Sequence, residues 1–259
     1  MKDEVDPAVV RQLLSLNRQF YESFAQPFSQ TRLRLQPGVR KLLPRLVNCA
    51  SLLDFGCGNG ELLAALLQAG FHGRYVGLDF SRSLLQIAAQ RWAEEGGQRQ
   101  ASVSFQAVEI TQPDWHRSLS GAPFNAVVAF AVLHHLPSFE LRLQVLKTLR
   151  QLLAADAAAA LYLSNWQFLN SPRFRQRIQP WDEVGLSETA LEAGDTLLDW
   201  RQGGRGLRYV HHFSEEELAQ LAQQSGFAVV ESFSSDGRGG NLAIYQVWKS
   251  QPGGESESA

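Results

Sequence analysis

The stretch Ser51-Leu52-Leu53-Asp54-Phe55-Gly56-Cys57-Gly58-Asn59-Gly60-Glu61-Leu62-Leu63 most restricts what this chain can fold into. A short apolar run ends in an acid, three alternating glycines follow, and a helical pattern starts at once. That order predicts a strand, a tight turn and a helix N-terminus. Glycines let the backbone turn sharply and let a ligand lie against it without Cβ interference. The first N–H groups of the helix point at whatever sits there. Such a turn cradles a nucleotide-like cofactor at the carboxyl end of the first strand of a doubly wound α/β sheet.

The spacing is Gly-x-Gly-x-Gly rather than Gly-x-Gly-x-x-Gly, Asp54 precedes it, and no Lys-Ser or Lys-Thr follows to hold a triphosphate. The plain alternative is an ordinary Gly-rich βα turn. Acid-x-Gly-x-Gly-x-Gly resembles the first motif of the S-adenosylmethionine (SAM) methyltransferases, whose cofactor carries an ammonium and a sulfonium instead of a pyrophosphate. The motif residues Asp54, Gly56, Cys57, Gly58, Asn59 and Gly60 are therefore expected at the cofactor. A second strand, Arg74 to Ser81, ends in an acid nineteen residues past Gly60, namely Asp79. An acid at that distance accepts hydrogen bonds from ribose hydroxyls. Phe80 and Ser81 follow it at the same site, and Ser81 or Ser83 can cap the next helix.

Composition excludes several other classes. At 259 residues, 44% apolar and 19% charged, the chain reads as one elaborated soluble domain. No apolar run approaches the ~20 residues of a membrane span, and the acidic, weakly apolar start does not read as a signal peptide. Two cysteines, Cys49 and Cys57, give neither a disulfide framework nor metal spacing, which fits a cytoplasmic location and no metal. A net charge of −2 argues against coating nucleic acid by bulk charge but allows a local basic face.

Residues 7–27 read as one or two helices, and an acid-free, Arg-rich connector follows up to the first strand. Residues 1–47 thus form a helical, Arg-rich lid and 48–164 a cofactor-binding core. Within that core, Val103 to Val108 and Pro123 to Ala131 read as strands. A helix from Pro137 to about Ala154 and a strand from Ala157 to Ser164 follow. Residues 165–211 break the rhythm and read as an irregular inserted cap over the substrate face. Residues 212–249 complete the core with a helix, opened by the capping box Ser214-x-x-Glu217, and two strands. The tail, 250–259, reads as disordered.

The chain over roughly 40–250 resembles a class I SAM-dependent methyltransferase, and is similar in particular to the tRNA methyltransferases that esterify wobble 5-carboxymethyluridine. The narrower likeness rests on Tyr21 through Phe28-Ser29-Gln30-Thr31-Arg32, on Ala131-Val132-Leu133-His134-His135, on Gly194-Asp195 through Trp200, and on Arg208-Tyr209-Val210-His211 with Glu216-Glu217-Leu218. Two departures stand out: Asn125 replaces the usual acid after Phe124, and Leu161 to Trp166 is less aromatic and acidic than the family pattern.

The resemblance implies a Rossmann-like, seven-stranded, mostly parallel sheet with helices on both faces and the last strand antiparallel. It implies Tyr21, Phe130 and Ala131 at the cofactor, with Glu109 reading the adenine amino group and Ile110 packing on the ring. It makes His135 and Arg32 the catalytic candidates. Arg34, Trp166, Arg173, Arg175, Arg177, Arg208, Tyr209 and His211 become substrate candidates. The implied partners are tRNA and a small zinc-binding activator subunit. The alternatives are a small-molecule methyltransferase for a carboxylate, phenol or quinone-like acceptor, and a SAM-binding partner protein without catalysis. A carboxylate acceptor needs no general base but does need a cation, and an arginine fork matches it bidentately.

Overall fold

In the computed structural model, residues 5–31, 34–94, 101–112 and 114–251 are described. The catalytic candidate Arg32 and the tail beyond residue 251 lie outside them. The chain opens with α1 (Pro7–Ser23), α2 (Ala25–Gln30) and α3 (Pro37–Leu46). It then runs through β1 (Ser51–Phe55), α4 (Glu61–Gln68), β2 (Arg74–Asp79), α5 (Arg82–Glu94), β3 (Ser102–Ala107), β4 (Ala126–Phe130), α6 (Phe139–Leu152) and β5 (Ala160–Trp166). A short helix α7 (Pro172–Arg175) leads into β6 (Ile178–Gln179), β7 (Asp195–Trp200) and β8 (Gly206–His211). Last come α8 (Glu215–Gln224), β9 (Phe227–Ser235) and β10 (Ala243–Ser250).

The main sheet has seven strands in the order β3-β2-β1-β4-β5-β10-β9. Every pairing from β3 to β5 is parallel, and β10 runs antiparallel to both of its neighbours. This is the architecture that the glycine turn and the family pattern imply. Both faces are covered. Leu53, Val127, Leu161 and Leu163 pack under α6 and α8, whereas Leu52, Val128 and Tyr162 pack under α3 and α4. Each such leucine contributes roughly 1.5–3 kcal/mol when fully buried, and strands covered on both sides carry no polar alternation to read.

Local chemistry sets the helix starts. Asp6 Oδ1 accepts from the Ala8 N–H at 2.7 Å with Pro7 at the first position of α1, and Ser138 Oγ caps the Leu141 N–H of α6 at 3.2 Å. Ser214 caps the Glu217 N–H at 3.1 Å, as the Ser-x-x-Glu pattern predicts. The reciprocal half of that capping box is absent, because the Glu217 carboxylate turns instead to His211 and Arg142.

The structure corrects the reading of 165–211 as irregular. Residues Ile178–Gln179, Asp195–Trp200 and Gly206–His211 form a three-stranded antiparallel sheet, β6-β7-β8. Leu13 of α1 packs with Leu197 and Tyr209 on one side, and Phe168 packs with Leu198 and Val210 on the other. With both sides covered, β7 loses the alternation that marks a half-exposed strand.

Candidate active site

The glycine turn follows β1 as the sequence predicts. Gly56, Gly58 and Gly60 have φ of +81°, +53° and +76°, in the left-handed region that favours glycine. A Cβ on Gly58 would meet nothing within 4 Å, so its backbone is open to a ligand, whereas one on Gly56 would strike Val132 Cγ2 at 2.4 Å. The Gly58 N–H donates to Asp79 Oδ2 at 2.9 Å, and the Ser81 N–H donates to Asp79 Oδ1 at 2.9 Å. The acid closing β2 is thereby fixed against the turn closing β1.

A cavity of about 380 Å³ opens beside this turn. It brings together Tyr21, Arg34, Asp54, Gly56, Cys57, Gly58, Asn59, Asp79, Phe80, Glu109, Ile110, Phe130, Ala131, His135, Trp166 and Arg208. These come from α1, the segment between α2 and α3, the carboxyl ends of the five parallel strands and β8, as expected for a ligand site at the carboxyl edge of a doubly wound sheet. Gly60 and Ser81 support the site from behind: Gly60 opens α4, and buried Ser81 caps the Leu84 N–H at 3.3 Å.

Burial pushes the Asp54 carboxyl up to about 7, against a hydrogen bond from the Tyr75 hydroxyl at 2.5 Å that favours its charged form. Burial likewise raises Asp79 to about 6, with the backbone N–H groups opposing. Two buried acids beside a glycine turn, with no lysine in the turn, suit a cationic ligand and not a pyrophosphate. The same burial, next to these acids, pushes the Cys57 thiol well above its ordinary value, so Cys57 is a small packing residue rather than a nucleophile. Glu109 is ion-paired with Arg18 of α1 and accepts from Thr111 Oγ1 at 2.9 Å.

Ala131, a non-glycine residue at φ +58°, turns the chain sharply out of β4, and its N–H is held by Ser164 at 2.9–3.0 Å. Strained backbone of this sort clusters at functional sites. Its turn delivers Leu133–His135, where His135 Nε2 lies 2.8 Å from the Tyr21 hydroxyl. On the cap side, the Arg208 guanidinium lies 5.4, 5.1 and 5.6 Å from the ring centres of Phe20, Trp166 and Trp200.

Several expected substrate residues sit elsewhere. Arg173, Arg175 and Arg177 do not line the cavity; Phe174 between them does, and Arg173 and Arg175 are exposed beside it. Tyr209 and His211 are buried in a charged network at the cap–core junction. The Tyr209 hydroxyl and His211 Nδ1 both reach Asp195 Oδ1 at 2.7 Å, and His211 Nε2 reaches Glu217 at 2.8 Å. Arg142, fully buried, joins Glu217 at 3.0 Å, pairs with Glu192 and donates to the Leu136 carbonyl at 2.8 Å. With a carboxylate on each nitrogen, His211 donates twice; burial alone would lower its pKa, but those hydrogen bonds raise it. Asn125, in place of the usual acid, ties β4 to Ser51 of β1 through Oγ at 2.9 Å, away from the cavity.

Phe28 of the Phe-Ser-x-Thr-Arg segment lines the cavity too, as do Asn17, Arg18, Asp236 and Tyr245, which the sequence did not single out. Only a helical period placing Asn17, Arg18 and Tyr21 near one face of α1 could have hinted at Asn17 and Arg18.

Residues 28–232 match the methyltransferase-domain family. The chain belongs to this family. SAM is its cofactor, and the open glycine turn with its paired buried acids fits that ligand. The methyltransferase is 28% identical over 213 residues to a methyltransferase of Encephalitozoon cuniculi, covering 82% of this chain and 87% of that one. It is 30% identical over 143 residues to the tRNA (carboxymethyluridine(34)-5-O)-methyltransferase of Xenopus tropicalis, covering 55% of this chain but only 20% of that protein. It spans likewise only 35% of the bovine tRNA methyltransferase 9B that it matches at 23% identity. In fold it is similar to a SAM-dependent methyltransferase of Methanosarcina mazei, with a TM-score of 0.63 at 22% identity over 85% of this chain and all of that one. It is also similar to the magnesium protoporphyrin IX methyltransferase of Synechocystis, with a TM-score of 0.62 at 17% identity over 91% and 97%. Among the described residues no helix is long and apolar enough to cross a membrane.

Proposed function

We propose that this methyltransferase esterifies a carboxylate carried on a modified wobble uridine of tRNA. The observation that carries the reading is Arg208, a planar cation set among three aromatic rings in the same cavity as His135 and the cofactor turn. A fork flanked by aromatic faces suits a flat base bearing an anionic arm. Arg34 at the cavity and exposed Arg173 and Arg175 beside it are available for phosphates. The tRNA methyltransferases among the relatives lend the reading further support.

Bound SAM would supply an electrophilic methyl carbon on its sulfonium: an acceptor oxygen held in line would form the O–C bond as the C–S bond breaks, with S-adenosylhomocysteine leaving as the neutral thioether. The protein has three tasks around that step. Asp54 holds the cofactor ammonium, Asp79 the ribose hydroxyls, and Glu109 with Ile110 the adenine. Arg208, with Arg32 as a second candidate, pairs with the acceptor carboxylate and aims one oxygen. His135, hydrogen-bonded to Tyr21, walls the cavity beside the acceptor, and no proton has to leave the acceptor, because a carboxylate is already ionised at neutral pH. A small zinc-binding activator subunit is proposed as a partner, to be sought by co-purification.

The experiment is incubation with labelled SAM and total tRNA, followed by nucleoside mass spectrometry. A methyl ester on a wobble uridine is expected. Transfer to small carboxylic acids or phenols, with tRNA left unlabelled, would overturn the tRNA reading.

A further inference from the structure

Asn17 is an amide on a lid helix, only 3% exposed, and its three hydrogen bonds leave it one orientation. The Tyr209 N–H donates to Asn17 Oδ1 at 2.8 Å, so the other end of the amide must be the donor. That donor, Nδ2, faces two carbonyls: Tyr209 O at 3.1 Å and His135 O at 3.3 Å. One side chain thus clamps a cap strand and the turn after β4 to α1. The Tyr209 carbonyl also lies 3.3 Å from His135 Nδ1. A carbonyl can only accept, so Nδ1 carries the proton, and Nε2 of the neutral ring then accepts from the Tyr21 hydroxyl at 2.8 Å.

We propose that Asn17 is a positioning residue that holds His135 in its Nδ1–H tautomer and commits the Tyr21 hydroxyl hydrogen to Nε2. The 3.3 Å contact from His135 Nδ1 is long for a hydrogen bond. It survives because Asn17 pins both the carbonyl that receives it and the backbone of the residue that makes it. Once the clamp is removed, the turn relaxes and the Nε2–H tautomer becomes accessible. The meaning of this arrangement for catalysis rests on the acceptor-site reading above; the tautomer itself does not.

The test needs no acceptor. Ring ¹⁵N shifts of wild type, Asn17→Asp and Asn17→Ala are recorded at pH 8 with S-adenosylhomocysteine at saturation, using His135→Gln for assignment. Asn17→Asp is isosteric, keeps the acceptor for Tyr209 N–H and loses the donor. The Nδ1–H form should dominate in wild type. In both variants the tautomer ratio should shift at least tenfold toward Nε2–H, with the far-UV dichroism of the folded protein retained. A merely structural residue would change thermal stability and leave the ratio alone. A ratio within twofold of wild type in the folded variants overturns the proposal. Should neither variant fold, the wild-type spectrum decides: a proton on Nδ1 sustains the proposal, and a proton on Nε2 overturns it.

Discussion

Asp54 offers the most quantitative handle on this enzyme, because burial holds it near the middle of its titration at neutral pH. Its carboxyl stands at about 7, raised by burial and restrained by the Tyr75 hydroxyl at 2.5 Å. A raised carboxyl means that ionisation opposes folding. Stability of the free protein from this group is fully present below the ordinary carboxylate range and is lost as pH rises through about 7. Cofactor binding has the opposite sign, since an ammonium partner favours the ionised acid. At pH 6 about one Asp54 in eleven is ionised and at pH 8 about ten in eleven, so SAM affinity should climb about tenfold between them. The informative perturbation is Tyr75→Phe, which removes one oxygen from a fully buried ring. A hydrogen bond to a charged group contributes about 1.5–3 kcal/mol, equivalent to about one to two pH units. The midpoint should therefore move from about 7 to about 8–9, weakening SAM roughly five- to fifty-fold at pH 7. Calorimetry at each pH, in two buffers of different ionisation enthalpy, reads both the affinity and the proton released on binding. Wild-type affinity that is flat from pH 6 to 8, or a variant midpoint that does not move, would refute the assignment of Asp54 to the cofactor cation.

Other expectations follow from the same site. Gly58→Val, forced to a φ of +53°, and Asp79→Ala, which unties the turn, should each weaken SAM binding at least tenfold by calorimetry with far-UV dichroism unchanged. Arg208→Lys should lower kcat/KM for a carboxylate acceptor by about 10²-fold, since a point charge replaces a bidentate fork. His135→Gln should retain much of the activity and leave the pH–rate profile without a histidine limb; loss of about 10²–10⁴-fold would mark a general base instead. Affinity for tRNA should fall steeply with salt, and Arg173→Ala with Arg175→Ala should flatten the slope by about two phosphates' worth. The stability advantage of wild type over His211→Gln should be greatest below pH 6.5 and shrink as pH rises, because the folded pKa of His211 is raised; paired melting curves check the sign.

The sequence made the cofactor half of the site legible because its determinants are local. Gly56, Gly58 and Gly60 announce a turn through backbone need, and Asp79 follows at a distance set by one helix and one strand. The part of the cavity around His135 was named only through family resemblance, since it is assembled from residues remote in the chain. Asn17 meets Tyr209, 192 positions away, and Tyr21 meets His135, 114 positions away, and no periodicity encodes such contacts. Spacing alone did not show that the arginines around Phe174 lie outside the cavity. Phe174 takes the inward position, which leaves its neighbours Arg173 and Arg175 pointing out to solvent. His211 looked like a substrate ligand by motif, yet both of its nitrogens are occupied by carboxylates of the fold.

The place of β10 between β5 and β9 bears on how the enzyme comes into being on the ribosome. Synthesis is vectorial, and the strand that fills this interior slot is made after both of its neighbours. Until residue 250 has cleared the exit tunnel, β5 presents an open edge and β9 has no sheet to join. Tyr245 of β10, which anchors Asp236 at 2.6 Å beside the cofactor cavity, arrives only then. A nascent chain stalled short of that point would hold the glycine turn but an unfinished pocket. It would be a client for chaperones before it was a consumer of the cell's methyl supply.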